Sequence, residues 1–153
     1  MRNRPYSLSR ARCASGFFND RETNKEAYHD GWFYPGDLGR LDPYGYLFLA
    51  GRSKELIMRG GANIYPAEIE AVLLSHPGVT DAAVIGWPSA EMGEEIAAFV
   101  TGDGALDELM AHCREKLASY KCPKQLFALD SLPKSQRGQV WKLDLKALLP
   151  AGG

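Results

Sequence analysis

Between Gly36 and Glu70 the chain is punctuated by turn-formers every few residues, and that spacing limits what it can build. The stretch GDLGRLDPYGYLFLAGRSKELIMRGGANIYPAEIE holds a Gly-Asp turn, a hairpin signal at Asp42-Pro43 and Tyr44-Gly45, and a Gly-Arg-x-Lys step. A Gly-Gly pair and a helix start at Pro66 complete it. Strands framed by such residues are short, because glycine supplies positive φ and proline removes a ladder donor. Short strands need neighbours, since a lone hairpin is marginal in water. The spacing therefore predicts a β-rich segment over residues 1–51 that depends on strands beside it.

From Gly51 onward the pattern reads as a small α+β domain, a short sheet covered by helices. A strand pair is expected around Lys54 to Ile64. A helix follows from Pro66 to Ser75, with proline in the first turn and Ile69, Val72 and Leu73 on one face. Val79 to Trp87 and Ile96 to Val100 read as strands. Leu106 to Leu117 reads as a helix with Leu106, Leu109, Met110, Cys113 and Leu117 along one stripe. Leu126 to Leu129 is a further strand, and Trp141 to Leu149 a closing helix. Two domains are expected, residues 1–51 and residues 52–150.

At 153 residues, with 45% hydrophobic residues, the chain suits one soluble domain with a smaller appendage. Its formal charge of -1 argues against a general polyanion binder, so no nucleic-acid partner is expected. No apolar run has the length of a membrane span. Three cysteines, Cys13, Cys113 and Cys122, form no C-x-x-C pair and leave an odd thiol, which fits the reducing cytoplasm better than a disulfide scaffold. His112 and Cys113 have no partners at ligand spacing, so no metal site is expected. The first sixteen residues carry Arg2, Arg4, Arg10 and Arg12, several serines and no acid. An organelle transit peptide has that composition, and so has the tail of a preceding domain; we favour the second. Unpaired strands in residues 16–50 make self-association an expectation too.

Several residues suit binding chemistry. Asp37, on a tight turn, can accept two charge-assisted bonds from a vicinal diol; capping its own turn is the plainer role. Arg52 offers a planar five-donor group to phosphate or ribose oxygens, and Lys54 stands two residues on; an exposed basic pair is the alternative. Gly60-Gly61 lets backbone approach a ligand, or simply turns a hairpin. Tyr120 can stack on a base and Lys124 can meet a phosphate, and equally they can be a helix end and a solvated charge.

The order of these motifs resembles the C-terminal part of the AMP-forming acyl-CoA synthetases, the adenylate-forming family, from about Ser15 to Leu149. The resemblance implies a C-terminal lid domain preceded by a remnant of a large N-terminal AMP-binding domain. It implies Asp37 (in the family's Thr-Gly-Asp motif, with Pro35 here for Thr) and Arg52 on the nucleotide, and Lys54 as the hinge. Gly60 and Gly61 would line the pantetheine path, with Tyr120 and Lys124 beside the CoA nucleotide. The implied substrates are ATP, with Mg carried by it, CoA and a carboxylic acid, a fatty acid among the expectations; no tightly bound cofactor is implied. In the segment Leu132 to Lys142 the family places its adenylation lysine after a glycine, where this chain has Gly138-Gln139. Gln139 can donate a hydrogen bond but brings no charge. No glycine-rich phosphate loop is present in the sequence either. The expectation is a chain that does not adenylate alone. Its partner would be a separate N-terminal AMP-binding domain or a larger ligase; the alternative is a non-catalytic binding or regulatory module that docks on a larger ligase.

Overall fold

The computed structural model describes residues 4–9, 13–136 and 138–149, and the chain divides into two compact units, Met1–Lys54 and Glu55–Gly153. Arg2, Arg10 and Arg12 of the basic leader lie outside the described residues.

The first unit holds two small antiparallel sheets. One is ordered β1 (Arg4–Pro5), β5 (Asp37–Leu41), β6 (Leu47–Arg52); the other is β2 (Leu8–Ser9), β4 (Trp32–Phe33), β3 (Tyr28–His29). The β3–β4 turn places Asp30 at φ 51° and Gly31 at φ 79°. Two positive φ values in succession match the twist of a two-residue hairpin. In the β5–β6 turn, the Asp42 carboxylate accepts the amides of Tyr44 and Tyr46, both at 2.9 Å. One element departs from the all-strand expectation. Residues Arg21–Ala27 form helix α1, started by Asp20, whose carboxylate accepts the Thr23 amide at 3.0 Å. It has no apolar stripe, and only Ala27 in it is buried, so periodicity could not reveal it. Few large apolar side chains in this unit are covered: Leu38 is, whereas Leu41, Leu47, Phe48 and Leu49 are exposed.

The second unit is organised by β10 (Gly93–Thr101), the central strand of a five-stranded sheet. β9 (Asp81–Ser89) runs antiparallel along one edge of β10 over its whole length. The other edge pairs in parallel with β11 (Gln125–Ala128) and, at Gly93, antiparallel with β7 (Ile57–Arg59), which continues to β8 (Ala62–Ile64). Along β10, Ile96, Ala98 and Val100 enter one core, while Ala97 and Phe99 enter another. A strand buried on both faces reads as an unbroken apolar run, as this one does. Helices α2 (Pro66–Leu74) and α3 (Leu106–Lys116) cover the first face through Ile69, Leu73, Leu109 and Cys113. The second face is covered by Leu132 and by Leu145 of α4 (Lys142–Lys146).

This is the expected short sheet covered by helices. Two details differ. The closing helix spans only Lys142–Lys146 rather than 141–149, because a single buried residue, Leu145, anchors it. Leu106, placed on the α3 stripe, is exposed, since the core begins one turn later at Leu109.

Candidate functional site

In the first unit, register places Asp37 opposite Arg52 across β5 and β6. Arg52 Nε lies 3.4 Å from Asp37 Oδ1, with the carboxylate a quarter exposed, and the Tyr6 hydroxyl donates to Asp37 Oδ2 at 3.3 Å. Burial, the Asp37 charge and this hydrogen bond hold the Tyr6 phenol above its ordinary pKa. Gly36, at φ 80°, turns its carbonyl to Ser53, which donates both its amide (2.8 Å) and its hydroxyl (2.9 Å). Asp37 and Arg52, chosen separately from the sequence, thus face each other as a charge pair on a fixed turn. Lys54 is largely exposed and its Nζ lies 3.6 Å from Glu26 Oε2. Both line a cleft of about 290 Å³ with Phe17, Phe33, Tyr34 and Gly36.

In the second unit, the Gly60-Gly61 turn joins β7 to β8, with φ values of 55° and 79°. The two glycines have different surroundings. A Cβ on Gly60 would meet Met92 Cε at 2.9 Å, whereas one on Gly61 would meet nothing within 4 Å. Next to the turn, Arg59 Nε lies 2.7 Å from Glu95 Oε2, and Arg59 Nη1 donates to the Tyr120 carbonyl at 2.8 Å. Lys124 Nζ lies 3.5 Å from Glu95 Oε1, and its amide donates to the Ile96 carbonyl. Glu95 is 4% exposed. One buried carboxylate therefore draws the glycine turn, Tyr120 and Lys124 into one neighbourhood. A buried acid needs such partners, because desolvation would otherwise neutralise it.

Sequence reasoning passed over Tyr6, Arg59 and Glu95. Glu95 carried the clearest signal, an acid within an apolar strand. Arg59 immediately precedes the glycine pair.

Gln139 sits on a separate small hairpin. Lys134 bridges Val140, Ser135 N–H donates to the Gln139 carbonyl at 2.8 Å, and Trp141 N–H donates to the Pro133 carbonyl at 2.8 Å. Gly138 turns at φ 77°. The Gln139 side chain is exposed and has no hydrogen-bonded partner among the described residues. Its cationic neighbours are engaged elsewhere. Lys134 pairs with Asp81 at 2.5 Å, and Lys142 pairs with Glu55 at 2.6 Å and Glu70 at 3.1 Å. Arg137 lies outside the described residues. Among the described residues no helix is long and apolar enough to cross a membrane.

Residues 68–139 match the family model of the AMP-binding enzyme C-terminal domain. A 2-succinylbenzoate–CoA ligase from Bacillus cereus is 43% identical over 136 residues, which is 88% of this chain and 28% of the relative. Among solved structures, o-succinylbenzoate CoA synthetase from Bacillus subtilis, in complex with its acyl-adenylate intermediate, superposes with a TM-score of 0.81. It is 40% identical, over 86% of this chain and 28% of the other. ATP-bound MatB from Rhodopseudomonas palustris gives a TM-score of 0.77 at 38% identity, over 87% and 27%. The chain thus spans about 28% of the length of the curated relatives it matches.

Proposed function

We propose, from the chain's likeness to the C-terminal part of adenylate-forming acyl- and aryl-CoA ligases, that it serves as the lid of such a ligase. The reaction would couple a carboxylic acid, Mg–ATP and CoA to acyl-CoA, AMP and pyrophosphate. The observation that carries the proposal is the Asp37–Arg52 pair. It is a carboxylate and a guanidinium held opposite each other on β5 and β6, two residues before the first compact unit ends at Lys54. A ribose diol would accept its place between them by bonding the carboxylate, leaving the guanidinium for an adjacent oxygen.

In this proposal the domains divide at residues 51 and 52, Lys54 is the hinge, and the second unit meets CoA. Gly61, open on its free side, lies beside the pantetheine arm with Gly60. Tyr120 and Lys124 meet the nucleotide end, kept near the turn by Glu95. The names of the relatives make 2-succinylbenzoate the first acid to test, and a fatty acid the second. The protein works in the cytoplasm, and a large AMP-binding domain supplies the phosphate loop and acyl pocket.

Residue 139 tunes this function downward. A lysine there would place a cation where charge develops as the carboxylate attacks the α-phosphate, whereas Gln139 offers only a dipole. The ion pairs of Lys134 and Lys142 argue against either one replacing it. This favours a second role, a non-catalytic module docked on a larger ligase.

The test is a chimera in which this chain replaces the matching C-terminal part of the Bacillus cereus ligase. Acid-dependent ATP–pyrophosphate exchange should be weak, and Gln139→Lys should raise it on the order of 10²–10³-fold. The isolated chain should show no exchange. Equal exchange by the two chimeras would overturn the role of position 139, and exchange by the isolated chain would overturn the lid assignment. A chimera that binds but stays silent with Lys at 139 favours the docking module.

A further inference from the structure

We infer that Lys142 is a positioning residue, tethering the hairpin that presents residue 139 to the first residue of the second unit. Its functional meaning rests on the role proposed for position 139; the tether itself does not.

The Lys142 ammonium bridges two carboxylates, Glu55 Oε2 at 2.6 Å and Glu70 Oε1 at 3.1 Å, and is only a quarter exposed. Glu55 is 87 residues away in sequence and opens the second unit, directly after Lys54. Glu70 is itself fixed, because its Oε1 accepts the Val84 amide of β9 at 2.9 Å. The other arm of the hairpin is fastened as well. Lys134 pairs with Asp81, whose Oδ1 accepts the Ala82 amide at 3.0 Å. Between these fastenings the hairpin has few backbone bonds, a glycine turn, and no buried side chain from Pro133 to Val140 among the described residues. Its packing is limited to the partly buried Val140, which touches the second core, so the ion pairs at its arms carry much of its direction.

The charge arithmetic makes Lys142 the sensitive member. One cation stands between two acids, so its loss leaves two carboxylates facing each other, and like charges at close range repel. The Lys142–Glu55 pair links the end of the hairpin to the residue that directly follows the Arg52–Lys54 segment.

The experiment measures backbone amide exchange by NMR on the full 153-residue chain and on Lys142→Gln, Lys142→Arg and Glu55→Gln variants. In Lys142→Gln, exchange at Ser135, Gly138 and Trp141 should accelerate about fivefold, the scale of a partly exposed ion pair, with central β9 and β10 amides unchanged. Arginine, which can fork to two carboxylates, should restore the slow rates. Glu55→Gln should loosen the same three amides, and it serves as the test if Lys142→Gln does not fold. Unchanged hairpin amides, or uniform acceleration across the second unit, would overturn the tether. Selective loosening combined with a chimera indifferent to Gln139→Lys would keep the tether and remove its catalytic meaning.

Discussion

Removing the Glu95 carboxylate should be among the costliest surface-distant changes in the second unit. Glu95→Ala strips the partner from Arg59, which is 17% exposed, and from the half-exposed Lys124. Two unit charges about 4 Å apart gain about 4 kcal/mol at the effective dielectric typical of proteins. Part of that repays the desolvation of Glu95, which the mutant no longer bears. Arg59 keeps its bond to the Tyr120 carbonyl, and Lys124 recovers hydration. Breaking a buried pair costs about 3–5 kcal/mol, so with these offsets a loss of roughly 2–3 kcal/mol is expected. Urea unfolding followed by tryptophan fluorescence reads it, because Trp87 is the cross-strand partner of Glu95. With a slope of about 1.5 kcal/mol/M, the midpoint should fall by roughly 1.3–2 M. Arg59→Met should cost a similar amount, since it leaves the buried Glu95 carboxylate to the more distant Lys124 although Met retains the aliphatic packing. The double variant Arg59→Met/Glu95→Met should recover most of the loss, with a coupling of about 2 kcal/mol. A loss below about 0.5 kcal/mol for Glu95→Ala, or a coupling near zero, would refute the reasoning: the cluster would then be no more than a solvated surface pair.

Two further perturbations test the backbone and the core. Gly102→Ala should cost at least about 3 kcal/mol, because at φ 127° its Cβ would lie 2.2 Å from the Gly78 carbonyl oxygen. Gly61→Ala, at φ 79° in open space, should cost only the left-handed penalty of about 1 kcal/mol; thermal melts of the two variants compare them directly. Burial, and secondarily Cys122, push the Cys113 thiol up to about 11 from 9.0. The unfolded chain therefore sheds this proton first. Stability should be whole below pH 9 and decline as pH rises from about 9 to about 11. The pH slope should flatten in Cys113→Ala, and an unchanged slope would count against the burial argument.

The sheet strands and the two long helices of the second unit were legible in advance because burial imposes a period. Ile69 and Leu73 recur at helical spacing, and Ile96 to Val100 is apolar throughout because both faces of β10 are covered. Helix α1 was not legible: it is held by a cap at Asp20 and buries almost nothing, so it leaves no periodic trace. Leu106 was misplaced because periodicity locates a stripe but not the point at which the core ends.

By itself the sequence determined the α+β class, the family resemblance and the identity of the groups available for chemistry, including glutamine rather than lysine at 139. These follow from local spacing and side-chain type, which no packing alters. The tertiary structure alone decided who faces whom. It set Asp37 against Arg52 by strand register, and it gathered Arg59, Tyr120 and Lys124 at Glu95. It also tied Lys142 to Glu55 across 87 residues. Charges attract over a few ångströms, and no linear pattern encodes which distant residues the sheet will bring within that range.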